Sequence, residues 1–88
     1  MYIVYILFSP THHKSYVGYT NNLIRRIIEH NETGVGTYTS RYRPWIVLFT
    51  EEFSDKSEAI KREKYFKTGV GRERIKEMIE VVLKIGKD

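Results

Sequence analysis

The sequence predicts a small α/β (α+β) domain in which a three-stranded antiparallel sheet is flanked by three helices, in the order ββαβαα. Two observations favour this fold class. Short runs of β-branched and aromatic residues occur at three places, and segments with helical spacing of apolar residues follow them. The chain has 88 residues, which suits one core, so a single domain is predicted over 1–88.

The first two strands are predicted as a hairpin. Residues 2–8 (YIVYILF) are β-branched and aromatic, as in a strand that is buried on both faces. A polar, turn-like segment covers 9–14, and 15–19 read as the second strand. The short separation predicts antiparallel pairing.

The first helix is predicted over about 22–31, because Thr20-Asn21-Asn22 supply capping side chains. Gly34 and Gly36 break the chain after it. Arg25 and Glu29 are expected to point towards solvent. The apolar face of this helix is expected to contain Leu23, Ile24, Ile27 and Ile28.

The second half of the chain is predicted to hold a strand and two helices. A polar, basic loop covers 37–43, and Pro44 opens a strand over 45–50 with Trp45, Val47 and Phe49 on one face. Ser54 or Ser57 is expected to cap a helix that ends near residue 67. Residues 69–71 (GVG) interrupt it. The last helix, over 72–84, has an apolar face at helical spacing, formed by Ile75, Met78, Ile79 and Val82.

Composition excludes several classes of protein. There are no cysteines, so a disulfide framework, a zinc finger and a thiol nucleophile are ruled out. The apolar start ends at Phe8, too short for a signal peptide, and no run reaches the roughly 20 apolar residues of a membrane span. We therefore expect a cytoplasmic protein with no membrane partner.

The net charge of +4 favours anionic partners such as nucleic acid, although a solvated basic surface has the same charge.

Glu63 breaks the pattern of its own helix. At 100° per residue it lies within the apolar arc formed by Ala59, Ile60 and Phe66. A carboxylate among core residues is costly unless it is paired or bound to a cation. Two interpretations stay open: Glu63 pairs with an arginine at the sheet edge, or it is a functional carboxylate such as a Mg²⁺ ligand.

Arg26 and His30 lie one turn apart on the first helix, beside its apolar face. Arg26 has the donors to clamp a phosphate, and His30 can move a proton near neutral pH. The alternative is an edge arginine and a histidine at the helix end, where a cation is favourable.

Tyr5 and Tyr16 lie on the two hairpin strands, and Gly18 leaves space where a ligand or helix can approach. Each tyrosine, taken alone, is typical of a core aromatic with a tethered hydroxyl.

Taken together, these residues resemble the GIY-YIG nuclease superfamily. Val4-Tyr5-Ile6 and Tyr16-Val17-Gly18 match its two signature triads, with valine in place of the first glycine. The segment from Tyr16 to Asn31 resembles the family's YxGxTxxLxxRxxxHN run, and the helix around Glu63 resembles its EAxxxExxxK pattern. The resemblance covers nearly the whole chain and is closest to small, stand-alone bacterial members related to the nuclease half of the UvrC repair subunit.

The resemblance implies a catalytic role for five residues. Of the two tyrosines, Tyr5 and Tyr16, one positions or deprotonates the attacking water, and which one stays open. Arg26 stabilises charge on the phosphate, and His30 assists proton transfer or holds the substrate. Glu63 is implied as the only protein ligand of one divalent cation, Mg²⁺ or Mn²⁺, so that a metal and not a lysine partners it.

The resemblance therefore implies a metal-dependent endonuclease acting on DNA, structure-sensitive or weakly specific, in repair or recombination. The alternatives are a non-catalytic nucleic-acid-binding module with the same fold and a protein–protein adaptor. RNA as substrate, a protein partner that supplies specificity, and the oligomeric state are left open. Nucleic-acid contacts are predicted for six basic residues outside the catalytic set: Arg41, Arg43, Lys61, Arg62, Lys64 and Lys67.

Overall fold

A computed structural model of the chain describes residues 1–33 and 37–85. The strands are β1 (Tyr2–Ser9), β2 (Lys14–Thr20) and β3 (Ile46–Phe53). The helices are α1 (Leu23–Ile28), its π-helical continuation (Glu29–Thr33), α2 (Thr37–Arg41), α3 (Lys56–Phe66) and α4 (Gly69–Ile85). The predicted ββαβαα order is confirmed, and the predicted basic loop contains the additional short helix α2. The predicted break at Gly34 and Gly36 lies outside the described residues.

The sheet has the order β2-β1-β3, and both strand pairs are antiparallel. The predicted hairpin is confirmed, since Ser9 pairs with Lys14 next to the turn and Ile3 pairs with Thr20 at the other end. The central strand β1 is buried from Val4 to Ser9. The β2 edge of the sheet is where the candidate functional site lies.

The two faces of β1 contribute to two separate clusters, because successive side chains of a strand point to opposite faces. Val4 and Ile6 pack against α3 and α4 in a cluster completed by Ala59, Phe66 and Ile75. Tyr5 and Leu7 pack on the other face with Trp45. Helices therefore cover both faces of the sheet, and Tyr5 belongs to the face covered by α1.

A β-bulge in β3 changes the predicted face of one residue. Leu7 pairs with Val47 and Ile6 pairs with Phe49, so one extra residue, Leu48, lies between them on β3. Phe49 consequently packs against the α3–α4 side. The expectation that Trp45, Val47 and Phe49 share one face is wrong, because a bulge shifts the alternation by one residue.

Helix α1 packs through a narrower face than expected. Asn22 caps it, since its Oδ1 accepts from the Arg25 backbone N–H at 3.1 Å. Leu23 and Ile27 pack against the Tyr5 cluster, whereas Ile24 is 75% exposed. The predicted four-residue apolar face is therefore wrong at Ile24, and Ile28 is also exposed. Ile24 and Ile28 form a row that lies about 100° around the helix from Leu23 and Ile27, and both are exposed.

Helices α3 and α4 are joined by a tight connection. Asp55, and not Ser54 or Ser57, caps α3 by accepting from the Ser57 N–H at 3.0 Å. The predicted interruption at 69–71 is wrong, because these residues form the first turn of α4. Thr68 replaces the missing helical acceptor there, since its Oγ1 accepts from the Gly71 N–H at 3.2 Å. Within the described ranges, no helix is both long and apolar enough to cross a membrane.

Candidate functional site

A cleft of about 430 Å³ opens at the β2 edge of the sheet, and we refer to it as the β2-edge cleft. Strands β1 and β2, the start of α1 and one face of α3 all contribute to its wall. Four of the five residues predicted to be catalytic line it: Tyr5, Tyr16, Arg26 and Glu63. The fifth, His30, lies behind the two tyrosines and contacts both of their rings. The fold therefore brings together residues that are up to 58 positions apart in the sequence, from Tyr5 to Glu63.

Tyr5 is held in place by its cross-strand partner, Gly18. A Cβ atom at Gly18 would lie 2.5 Å from the Tyr5 hydroxyl oxygen and 3.2 Å from a ring carbon of Tyr16. Only a residue without a side chain leaves room for this ring packing. The space beside Gly18, which the sequence predicts to be open to a ligand or helix, is thus filled by the Tyr5 hydroxyl.

The Tyr5 hydroxyl is fully enclosed and hydrogen-bonded. Its oxygen lies 3.0 Å from His30 Nε2, and the whole residue is 0% exposed. Burial, and next the proximity of Tyr16, raise the pKa of Tyr5 to about 12, although Arg26 favours the phenolate and opposes the shift. Tyr5 is therefore a neutral phenol at physiological pH.

His30 is positioned by the π-helical turn and by hydrogen bonds that link this turn to the segment before β3. Arg43 Nε donates to the His30 carbonyl at 3.0 Å. The next residue, Asn31, exchanges two hydrogen bonds with the Trp45 backbone, at 2.6 Å and 3.1 Å. These bonds tie the turn to the start of β3. A π-helical turn inside an α-helix is frequent at functional sites.

The imidazole of His30 is neutral at physiological pH. It is buried, with 6% of its surface exposed. Burial first, and then the nearby Arg26 guanidinium, lower the pKa of His30, while Glu29 acts in the opposite direction. A neutral imidazole has one nitrogen without a proton, so Nε2 can accept from the Tyr5 hydroxyl.

Arg26 and Tyr16 form the part of the site that solvent reaches. The Arg26 side chain is 40% exposed and lies 3.6 Å from the Glu29 carboxylate. Interaction with the Tyr5 hydroxyl is the main cause that raises the pKa of Arg26. Tyr16 is half-buried, and its ring centroid lies 6.2 Å from that of Tyr5. A cation and a half-buried tyrosine therefore line the part of the cleft that solvent reaches.

Glu63 lies on the inward face of α3, as its place in the apolar arc predicts. Its side chain is 17% exposed, and Oε1 accepts from Lys67 Nζ at 2.9 Å. The expectation that a lysine does not partner Glu63 is therefore wrong. The pair is one turn apart on one helix, where Glu before Lys is the favourable order.

The donors of the β2-edge cleft fit one hard cation that keeps most of its water. Glu63 is the one acidic side chain of the lining in the described part of the chain. No group of three or more histidine, cysteine or acidic residues that could hold a metal occurs in 1–33 and 37–85. Mg²⁺ needs oxygen ligands and is commonly bound through one or two carboxylates, waters and substrate phosphate. Zinc, which takes several protein nitrogen or sulfur ligands, does not suit this set.

The six basic residues predicted for nucleic-acid contacts lie outside the β2-edge cleft. Arg62 is held by Glu51 at 2.8 Å and stacks over the rings of Tyr65 and Phe66. Arg43 supports His30, as described above. The other four are exposed: Arg41, Lys61, Lys64 and Lys67. Their part in binding nucleic acid stays a prediction.

Two cations of the cleft were not expected from the sequence. Arg25, expected to point towards solvent, lines the cleft, and so does Lys56. Lys56 precedes Glu63 by two helical turns on α3, so the i, i+7 spacing is a signal that places both on one face. With Arg26, these residues give the cleft three cations against one carboxylate.

Comparison with known proteins gives one family. The model of the GIY-YIG catalytic domain matches residues 1–76. A UPF0213 protein of Staphylococcus haemolyticus is 43% identical over 65 residues, which cover 74% of this chain and 78% of that protein. The structure-specific endonuclease subunit SLX1 homolog of Giardia intestinalis is 49% identical over 53 residues, but these are 57% of this chain and 15% of that protein. The solution NMR structure of a UPF0213 protein from Bacillus halodurans matches with a TM-score of 0.52 and 30% identity, covering 89% of this chain and 85% of that chain.

Proposed function

Because the chain belongs to the GIY-YIG catalytic-domain family, we propose that it is a metal-dependent endonuclease that hydrolyses phosphodiester bonds in DNA. The observation that carries the proposal is the convergence of Tyr5, Tyr16, Arg26 and Glu63 on one cleft, with His30 directly behind. The relative named as a structure-specific endonuclease subunit supports a preference for a particular DNA structure over plain duplex. A role in repair or recombination follows from that preference and stays a prediction.

Phosphate binding is assigned to the cations of the cleft. Arg26 presents a planar guanidinium that can donate two parallel hydrogen bonds to a phosphate group. Arg25 and Lys56 add charge at the mouth. As negative charge develops on the phosphate oxygens, the Arg26 guanidinium stabilises it.

Water orientation is assigned to Tyr16. Tyr16 is half-buried and lines the cleft, whereas the Tyr5 hydroxyl is sealed from solvent and bonded to His30. Tyr5 therefore supports the site through its hydrogen bond to His30. The part of His30 in proton transfer stays a prediction. Glu63 would hold Mg²⁺ or Mn²⁺, which supplies positive charge to the scissile phosphate when bound.

The test is cleavage of end-labelled linear, nicked, flapped and branched DNA, with Mg²⁺, Mn²⁺ or EDTA. We expect Glu63→Gln to abolish cleavage while DNA binding in a gel shift stays near the wild-type value, because the substitution removes a metal ligand but no phosphate contact. Glu58→Gln is the matched control, since Glu58 also pairs with a lysine on α3 but is exposed. Metal-dependent cleavage by Glu63→Gln at the wild-type rate would refute the role of Glu63.

A second candidate, a non-catalytic DNA-binding module, is favoured by one observation. Lys67 already neutralises Glu63, so the carboxylate does not require a metal to be tolerated in its half-buried position. This candidate predicts Arg26-dependent binding to DNA with no cleavage of any of the four substrates or of matching RNA.

A further inference from the structure

A second depression, which we name the α4 groove, lies beside the β2-edge cleft, between β2 and α4. Its volume is about 780 Å³. Tyr16 lines both depressions. Lys67 lines the groove and bonds to Glu63 of the cleft at 2.9 Å. The two depressions therefore meet at these residues, next to the proposed reaction centre.

The groove has an ordered lining along α4. Its residues recur at the spacing of one helical face, in a polar row beside an apolar row. The polar row is Arg72, Lys76 and Glu80, and the apolar row is Ile75, Ile79 and Leu83. Arg72 and Lys76 lie in the first half of α4, which follows Lys67 in the sequence. Glu80 follows one turn beyond Lys76. The cationic part thus begins at the cleft.

The occupant that fits this lining is a single strand of nucleic acid. Two cations without an ion-pair partner among the described residues, Arg72 and Lys76, line the groove with one carboxylate, Glu80, and Lys67 lies beside them in its pair with Glu63. Such a lining suits a polyanion. Tyr16 and Tyr38 offer rings on which bases can stack, and Tyr38 is 43% exposed. The groove has the size of a small-ligand pocket, too small to admit a duplex. An apolar peptide would leave Arg72 and Lys76 without partners.

We propose that the α4 groove holds the single-stranded arm that flanks the scissile phosphate. This inference rests on the proposed function, because it takes the β2-edge cleft as the place of cleavage. From Arg72 to Glu80 the helix rises about 12 Å. That length accommodates about three or four stacked nucleotides. The groove thereby selects substrates with an unpaired arm, which a linear duplex lacks.

The test is binding of fluorescein-labelled oligothymidylates of increasing length, measured by anisotropy in EDTA so that no cleavage occurs. For the wild type we expect the affinity to rise with length until the cleft and the groove are filled, and then to level off. Arg72→Ala/Lys76→Ala should weaken the longer strands by about tenfold and reduce the slope of log K against log salt by about 1.4, the value for two phosphate contacts on a single strand.

The matched control is Arg74→Ala/Lys84→Ala, which removes the same charge from α4 at positions outside the groove lining. It should retain the wild-type length dependence, with thermal melting to verify that both variants are folded. A second readout is the emission of Trp45, the only tryptophan, because the Tyr38 ring stacks on it with centroids 6.0 Å apart. Strand binding should change this emission at a similar strand concentration in the wild type and the control, and only at about tenfold higher concentration in the groove variant.

Three outcomes would overturn the inference. The first is an equal loss of affinity in the two double variants, which would indicate general charge. The second is an affinity that does not depend on strand length. The third is a concentration-dependent dimer that Ile79→Asp dissociates, which would assign the groove to a second copy of the chain. If cleavage requires Glu63 but is unchanged in Arg72→Ala/Lys76→Ala, the proposed function stands and the inference about the α4 groove fails. If binding depends on strand length but no DNA is cleaved, the groove stands as a binding site and the proposed function fails.

Discussion

At the scale of single residues, the site separates the two signature tyrosines by their access to solvent. Tyr5 lies under Gly18 and is bonded to His30, whereas Tyr16 is half-buried and lines both the β2-edge cleft and the α4 groove. Two residues of the same type therefore have different chemical environments, and different effects are expected when each hydroxyl is removed.

We expect Tyr16→Phe to lower kcat by about 10²-fold with no loss of stability, because its hydroxyl orients water at an accessible position. Tyr5→Phe should lower the free energy of unfolding by about 1 kcal/mol, since it leaves buried His30 without its hydroxyl partner. Urea denaturation and steady-state cleavage of the two variants check this. Full activity in Tyr16→Phe, with a folded but inactive Tyr5→Phe, would reverse the assignment.

The lowered pKa of His30 links stability to pH. An unfolded histidine takes up a proton near pH 6.5, whereas the folded one does so only at a lower pH. The unfolded state thus binds more protons in this window, so stability falls as the pH is lowered through about 6.5 and is unaffected by His30 above it. The free energy of unfolding of His30→Gln should decline less than that of the wild type between neutral and mildly acidic pH.

The control for this pH series is His12→Gln, which removes an exposed imidazole and should keep the wild-type decline. All three proteins share the same carboxylates, so the difference between slopes isolates His30. Identical slopes for the wild type and His30→Gln would contradict the link between His30 and pH.

At the scale of elements, the junction of α3 and α4 determines where Glu63 and the α4 groove lie relative to each other. Gly71 is buried, and a Cβ atom there would overlap the Tyr65 carbonyl oxygen and the Phe66 backbone. Gly69 is exposed, and a Cβ atom there would meet nothing within 4 Å. The first turn of α4 therefore requires glycine at position 71, whereas position 69 has room for a side chain.

This contrast predicts opposite effects for the same substitution. Gly69→Ala should raise the free energy of unfolding by about 0.5 kcal/mol, because alanine restricts the unfolded chain at a helical position with free space. Gly71→Ala should lower it by about 1–3 kcal/mol, the cost typical of overpacking, since the backbone of α3 must move. Thermal or urea melts of the pair measure both effects, and a Gly71→Ala protein as stable as the wild type would show that the junction can relax.

At the scale of the whole molecule, the two hydrophobic clusters lie on opposite faces of the same central strand, β1. The candidate site therefore depends on the stability of the whole fold. Phe66 is fully buried in the cluster between the sheet and α3–α4, three residues after Glu63. A chain of 88 residues is expected to be stable by roughly 4–13 kcal/mol. Loss of one large core side chain therefore removes a large fraction of the stability.

We expect Phe66→Ala to lower the free energy of unfolding by about 3–5 kcal/mol, through lost burial and the cavity left behind. Val70→Ala is the control, because Val70 is 66% exposed, and a surface substitution is expected to change stability by less than about 0.5 kcal/mol. Far-UV circular dichroism during a urea titration measures both variants. Equal stability of the two variants would show that the cluster does not hold α3 on the sheet.

The sequence by itself determined the element order and the types of residue at the site. Strand composition, capping residues near α1 and the apolar spacing of α4 are local properties, so they are readable without a fold. The apolar arc around Glu63 also marked that carboxylate correctly as facing inwards, where its side chain is 17% exposed. Five ordered residues, at the spacing of a known family, indicated which side chains belong together.

Only the tertiary structure decided how those side chains are arranged. The bulge at Leu48, the π-helical turn that carries His30, and the close approach at Gly71 each depend on contacts between elements that are distant in the sequence. The same holds for Lys67 as the partner of Glu63 and for Arg25 in the cleft. Periodicity gives the direction of a side chain from its own element, whereas the partner, the burial and hence the pKa are set by whatever the fold packs against it.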